Sequence, residues 1–294
     1  MKQTLRQPDP KTYTLDKTHP KIWIAKPIPL WQGGHPEYLA DELRDFLYSP
    51  SGAEVNVTVF DTVSNWAQQV LTKACTDTSS DLQKQNKSFG GLVAPDKPQY
   101  MYTQMKVGQG LFDLASLQKN TVFLSHEATQ MKSDIIGVGK SKERVETPLY
   151  TGFRSAGQKQ IESITSILSP GLVHLTTESK GFGEKLTVEH TAWLQDHGSP
   201  PFHAKWQNPG SPVSMCVDGK EGCEAFWAFV RATVNMLDNK TFSFGIYSKP
   251  GKGKTTLALT LWPEFWTKDE GVALYVACDP SSEALPTAWP GTVR

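Results

Sequence analysis

Cysteine is scarce in this chain: four residues, Cys75, Cys216, Cys223 and Cys278, in 294 positions. That number and scatter exclude a disulfide scaffold. Cys216 and Cys223, with six residues between them, have no second His or Cys pair to complete a zinc site. Excess charge of either sign is also missing, since 30 Lys and Arg balance 30 Asp and Glu. This balance argues against a protein held on nucleic acid by bulk charge, although it leaves room for a local basic face. No apolar run approaches the roughly 20 residues of a membrane span. The opening Met1-Lys2-Gln3-Thr4-Leu5-Arg6 is followed by no apolar segment, so no secretory signal is expected. These absences lead to the expectation of a cytoplasmic protein with reduced thiols.

What is present reads as a globular domain. Apolar residues make up 38 % and charged residues 20 %, enough apolar side chains for a core at this length. A short strand is expected at 22–25, a helix at 36–48 and a β-branched strand at 54–61 that ends in Asp61. A helix is expected at 64–74, then a polar loop or insertion over 75–98, and a helix over 102–117. Residues 121–125 read as a strand ending at His126, followed by a Lys- and Gly-bearing loop over 132–154. An amphipathic helix is expected at 158–168, and 172–177 with 185–188 read as two hairpin strands. Residues 198–222, rich in Pro, Gly and Ser, are the linker candidate. They separate 1–197 from 223–294 within what is expected to be a single domain. A helix at 224–237, a strand at 242–247 and a strand at 272–279 complete the reading. Strands alternating with helices suggest a parallel sheet covered by helices on both faces.

The sharpest motif is Ser248-Lys249-Pro250-Gly251-Lys252-Gly253-Lys254-Thr255-Thr256. It matches the phosphate-loop pattern G-x-x-x-x-G-K-[ST] with Ser248 at the first glycine, between an apolar strand and an apolar helical segment. Gly251 and Gly253 allow backbone N–H groups to fold inward around a phosphate. Lys254 is expected to reach the β- and γ-phosphates of ATP, and the Thr255 hydroxyl to ligate Mg²⁺. A second Gly-Lys-Ser, at Gly139-Lys140-Ser141, has neither flank and reads as a loop.

Hydrolysis also needs a metal-facing carboxylate and a base that polarises water. Asp61, at the end of its strand, is the candidate metal carboxylate, with a helix cap as the plain alternative. Asp279, after Val272-Ala273-Leu274-Tyr275-Val276-Ala277-Cys278, is the candidate base, with Glu283 or a simple Asp-Pro turn as alternatives. His126 is the candidate γ-phosphate sensor, where a purely structural histidine is equally consistent with the residues.

Together these segments resemble the RecA-like P-loop ATPases of bacteriophages, the AAA/RecA-type group associated with phage recombination. The parts occur here in a circularly permuted order. Residues 247–279 match the beginning of the family pattern, Val57 to Thr62 and Val122 to Glu127 the middle, and 172–185 with Thr176-Thr177 and Gly181-Phe182-Gly183 the closing hairpin. Ser248 in place of glycine and Asp279 in place of glutamate depart from that pattern. The resemblance implies an α/β RecA-like fold with a small β hairpin, and an Mg²⁺-dependent ATP hydrolase active in phage recombination or replication. It further implies a ring or filament of copies, in which Lys140, Lys142, Arg144 or Arg154 would serve a neighbour's γ-phosphate. Single-stranded DNA and a phage annealing or single-strand-binding protein are the partners it implies, in the cytoplasm of the bacterial host. Two other functions remain open on the residues: a nucleotide-switched interaction protein, with Trp31, Trp193 and Trp206 near turns, and a small-molecule kinase.

Overall fold

A computed structural model describes residues 21–28, 30–84, 94–136, 143–153, 167–180, 187–216, 221–237, 241–259 and 272–278. Chain order is β1 (Lys21–Ala25), α1 (Leu39–Tyr48), β2 (Val55–Asp61), α2 (Val63–Lys84), α3 (Lys97–Ala115), β3 (Asn120–Ile136) and β4 (Glu143–Phe153). Then follow β5 (Gly171–Lys180), β6 (Thr187–Trp193), β7 (Gln195–His197), β8 (Phe202–Trp206) and β9 (Val213–Cys216). The last elements are α4 (Glu221–Met236), β10 (Ser243–Ser248), α5 (Lys254–Leu259) and β11 (Val272–Ala277).

The expected RecA-like architecture, an open and mostly parallel α/β sheet with helices on both faces, is not what the chain builds. β10 pairs with β3 and β5, β3 with β4, β4 with β8, and β8 with β5. These five strands, of mixed direction, close on themselves as a barrel, and the remaining strands extend from it. β3 is the cause. Instead of stopping at His126 it runs for 17 residues. Its first part, Asn120 to Leu124, pairs in parallel with β2, while Glu127 to Ile136 form an antiparallel ladder with β4. Of the residues read as a loop over 132–154, those at 132–136 and 143–150 are thus the outer half of a two-stranded ribbon, where mostly exposed side chains carry no core signal.

Two further segments differ for local reasons. Residues 75–84 continue α2 as a helix of 22 residues. The hydroxyls of Thr72, Thr76, Thr78, Ser79 and Ser80 each donate to the carbonyl four residues earlier, and Lys73 pairs with Asp77 one turn on. These polar groups are satisfied within the helix, so a low apolar content does not end it. The Pro- and Gly-rich stretch expected as a linker carries β8 and β9, which pair with β5 and β6. The helix expected at 158–168 lies almost wholly outside the described residues.

Burial follows the strands. One apolar cluster gathers Leu39, Leu43, Trp66, Val70, Val107 and Leu111 from α1, α2 and α3 against Phe60, Phe123 and Leu274. A second gathers Phe226, Trp227 and Val230 of α4 and Leu257 and Ala258 of α5 against Val57, Val59, Val122, Phe244 and Tyr275. Alternation along β2 sends Val57 and Val59 to one cluster and Phe60 to the other, as the period of a strand requires. Within the barrel, Gly245 lies where an added Cβ would stand 2.7 Å from Leu172 Cδ1 and 3.1 Å from Leu168 Cδ1 and Phe153 Cε2. Only glycine lets these walls meet there.

Candidate phosphate-loop site

β10 is buried along all six residues and delivers Ser248 to the edge where β3 delivers His126, its partner in register. The loop from Lys249 to Gly253 follows, and α5 begins at Lys254. Gly251 and Gly253 hold positive φ, +71° and +81°, the left-handed region in which a side chain would strain the backbone. The two glycines let the loop turn between β10 and α5.

Lys254 is 5 % exposed. Its ammonium donates to the Ser248 carbonyl at 3.3 Å, the Ser248 Oγ at 3.2 Å and the Lys249 carbonyl at 3.1 Å. The ammonium is thus turned onto oxygens of its own loop. Ser248, which replaces the usual glycine, contributes one of them through its side chain, and its own hydroxyl donates to the Lys249 carbonyl at 2.9 Å.

Asp61 is brought to this loop from the other end of the chain. The Thr255 hydroxyl donates to Asp61 Oδ2 at 2.6 Å across 194 positions. The Tyr275 hydroxyl donates to the same oxygen at 2.6 Å. The carboxylate is 4 % exposed and is held between two hydroxyls. At the start of α2 the neighbouring Thr62 Oγ1 accepts the Asn65 N–H at 3.3 Å. A hydroxyl and a carboxylate are hard oxygen donors of the kind Mg²⁺ takes alongside phosphate oxygens and waters. Among the described residues no group of three or more His, Cys, Asp or Glu side chains could hold a metal ion.

His126 lies beside the loop, its N–H donating to Ser64 Oγ at 3.3 Å. Asp279 and Glu283, the candidate bases, lie outside the described residues, as do Lys140, Lys142 and Arg154. Arg144, by contrast, is placed on β4, where it bonds to Ser133 and pairs with Glu146 on the ribbon. Of the three tryptophans near turns, Trp31 is 81 % exposed and Trp206 is core.

Four loop neighbours were not legible in the sequence. Tyr275 is an apolar-strand residue by pattern, and only the parallel pairing of β11 with β2 brings it to Asp61. Glu127 follows His126 on β3, its carboxylate 3.8 Å from Lys249 Nζ and 3.6 Å from His174 Nε2. Thr177 and His190, opposite each other on β5 and β6, approach the loop from the hairpin. Thr177 Oγ1 lies 3.4 Å from the Lys252 carbonyl and 2.9 Å from His190 Nδ1.

Behind Glu127 the rings of His174, His197, Phe202, Tyr247 and Trp193 stack with centroid separations of 4.0 to 5.3 Å. His174 Nδ1 and His197 Nε2 share a hydrogen bond of 2.7 Å. Burial, then the neighbouring His174, lower the pKa of His197 to about 4, against an opposing pull from Asp196. The Tyr247 hydroxyl, pushed up chiefly by burial, donates to the His203 carbonyl at 2.7 Å. A histidine whose folded pKa lies below its unfolded value of 6.5 is neutral in the fold and takes up a proton on unfolding. Its stabilising contribution is present above about pH 6.5 and is lost as pH falls toward 4. A shift of this size corresponds to about 3 kcal/mol, which partial exposure reduces to about 1–2 kcal/mol. His197→Phe retains a ring in the stack, and the stability lost between pH 7 and pH 4.5 is expected to shrink by about that amount in urea titrations. An unchanged acid dependence would exclude His197 as its source.

No family model, curated protein or solved structure matches this chain. No helix among the described residues is long and apolar enough to cross a membrane.

Proposed function

We propose that the chain binds Mg-ATP at the loop Ser248 to Thr256 and hydrolyses it. The observation that carries this reading is the 2.6 Å contact between Thr255 and Asp61. The two residues expected from their motifs to share the metal are far apart in sequence, and folding joins them at the mouth of a strand–loop–helix unit. Lys254 exchanges its loop carbonyls for the β- and γ-phosphate oxygens, and the N–H groups around Gly251 and Gly253 face the same anion. Mg²⁺, when bound, neutralises charge developing between the β- and γ-phosphates. Thr255 and Asp61 would hold the metal, with the Tyr275 hydroxyl, the other donor to Asp61 Oδ2, orienting the carboxylate. His126 stands at the neighbouring strand end as sensor, and Asp279 or Glu283 is the proposed base for the attacking water.

On the motif resemblance alone, without the fold it implied, the proposal extends to single-stranded DNA as the effector, with copies of the chain and an annealing or single-strand-binding protein as partners. One observation favours a nucleotide-switched interaction protein instead. The β3–β4 ribbon exposes the apolar side chains of Ile135, Ile136, Val145 and Leu149, which are available for contact with a partner. Steady-state phosphate release with Mg-ATP, with and without single-stranded DNA, separates the readings. Turnover stimulated by DNA supports the DNA-directed ATPase. Tight binding without turnover in either condition leaves the switch, and transfer to a small acceptor would indicate the kinase.

A further inference from the structure

His190 and Thr177 belong to no part of the phosphate-loop motif, yet they touch it. A Cβ built on Gly253 would stand 3.4 Å from His190 Cε1 and 3.9 Å from Nδ1, so the imidazole lies against the loop glycine that precedes Lys254. The Thr177 hydroxyl has one proton and two acceptors within reach, His190 Nδ1 at 2.9 Å and the Lys252 carbonyl at 3.4 Å.

We infer that His190, acting through Thr177, is a proton-linked positioning residue of the phosphate loop, so that binding a nucleotide phosphate there takes up a proton. This rests on the reading of the loop as a nucleotide site. When the ring is neutral with its proton on Nε2, Nδ1 accepts the Thr177 proton and the Lys252 carbonyl is left with the longer contact. Protonation at Nδ1 removes that acceptor. The ring then donates to Thr177 Oγ1, and the hydroxyl proton turns to the Lys252 carbonyl. One proton enters from solvent, and a chain from His190 through Thr177 to the loop backbone is closed. The imidazolium also adds positive charge beside the loop.

The groups that face His190 in the structure favour the neutral ring. Burial, followed by the Lys252 ammonium, lowers its pKa. Its cross-strand neighbours, Thr177 on β5 and Met215 on β9, are uncharged. A phosphate in the loop supplies the missing negative charge and reverses this balance. By linkage, protonation must strengthen phosphate binding by the same factor that binding strengthens protonation.

The experiment is calorimetric titration of Mg-ADP into the full chain between about pH 8 and pH 6, in buffers of different ionisation enthalpy. Wild type, His190→Gln, Thr177→Val and Lys254→Ala are compared, each first checked for a cooperative unfolding transition. Imidazole NMR of the wild type, with and without Mg-ADP, follows the ring itself. The wild type is expected to take up protons on binding and to gain about tenfold in affinity relative to His190→Gln over that range, equivalent to a shift of about one pKa unit. Thr177→Val should lose most of this gain. Equal proton uptake and equal pH profiles in wild type and His190→Gln, or an imidazole resonance insensitive to Mg-ADP, would overturn the inference. Binding that disappears in Lys254→Ala would meanwhile keep the loop reading intact. Failure of the wild type to bind would overturn both.

Discussion

Lys254→Ala is expected to abolish measurable Mg-ATP binding and turnover while leaving the fold assembled. The ammonium is buried against oxygens of its own loop, and on the proposed reading it exchanges these for phosphate oxygens. Hydrogen bonds between charged groups contribute about 1.5–3 kcal/mol each. Losing two of them weakens binding by about 10²- to 10⁴-fold. Folding suffers less. Alanine strands the carbonyls of Ser248 and Lys249, a cost of about 1–2 kcal/mol each where water does not replace the lysine, but it also removes the desolvation penalty of a buried cation. Nucleotide binding measured by calorimetry, beside thermal unfolding of the same sample, checks both halves. Retained ATP affinity in a folded variant would show that the loop does not hold the phosphates.

Asp61→Asn is expected to preserve much of nucleotide binding but to lower Mg²⁺-dependent turnover by about 10²- to 10³-fold, the scale on which removal of one electrostatic stabiliser acts. The amide keeps one oxygen able to accept from Thr255 and Tyr275, so the local geometry survives. What disappears is the negative charge facing the cation. Tyr275→Phe provides a graded comparison. It removes the second donor to Asp61 Oδ2, worth about 1 kcal/mol, and should raise the Mg²⁺ concentration for half-maximal turnover about fivefold without moving the KM for ATP at saturating metal. Metal titrations of the three proteins test the order wild type, Tyr275→Phe, Asp61→Asn. Full activity in Asp61→Asn would remove this carboxylate from the metal site and leave it a structural anchor for Thr255.

The strand–loop–helix unit around Ser248 to Thr256 was legible in the sequence because its conformation is set locally. A buried strand, two glycines with positive φ and a helix opening on Lys254 follow one another within a dozen or so residues. Asp61 was legible for a similar reason, standing at the end of an apolar, β-branched run. Tyr275 was not. Its apolar neighbours in β11 fit a buried strand whether or not its hydroxyl has work to do, and the partner oxygen lies 214 positions away. His190 and Thr177 were hidden in the same way, because their meeting with Lys252 depends on which strands pair.

The architecture separates along the same line. Residue pattern by itself determined the strand or helix character of the stretches around Val57, Leu111, Ile246 and Leu274, where burial imposes a period. It gave the wrong result where side chains are exposed or internally satisfied: the polar turns of α2, the outer half of β3, and the strands β8 and β9. Ladder hydrogen bonds are made by backbone groups that every residue carries, so no side-chain pattern announces them. The tertiary structure alone decided that β3 would pass His126 to reach β4, that β4, β8 and β5 would return to β10, and that a five-stranded mixed barrel would take the place of an open sheet. It also decided that the aspartate from one end of the chain would meet the threonine from the other, since only packing fixes distances between residues that the sequence holds apart.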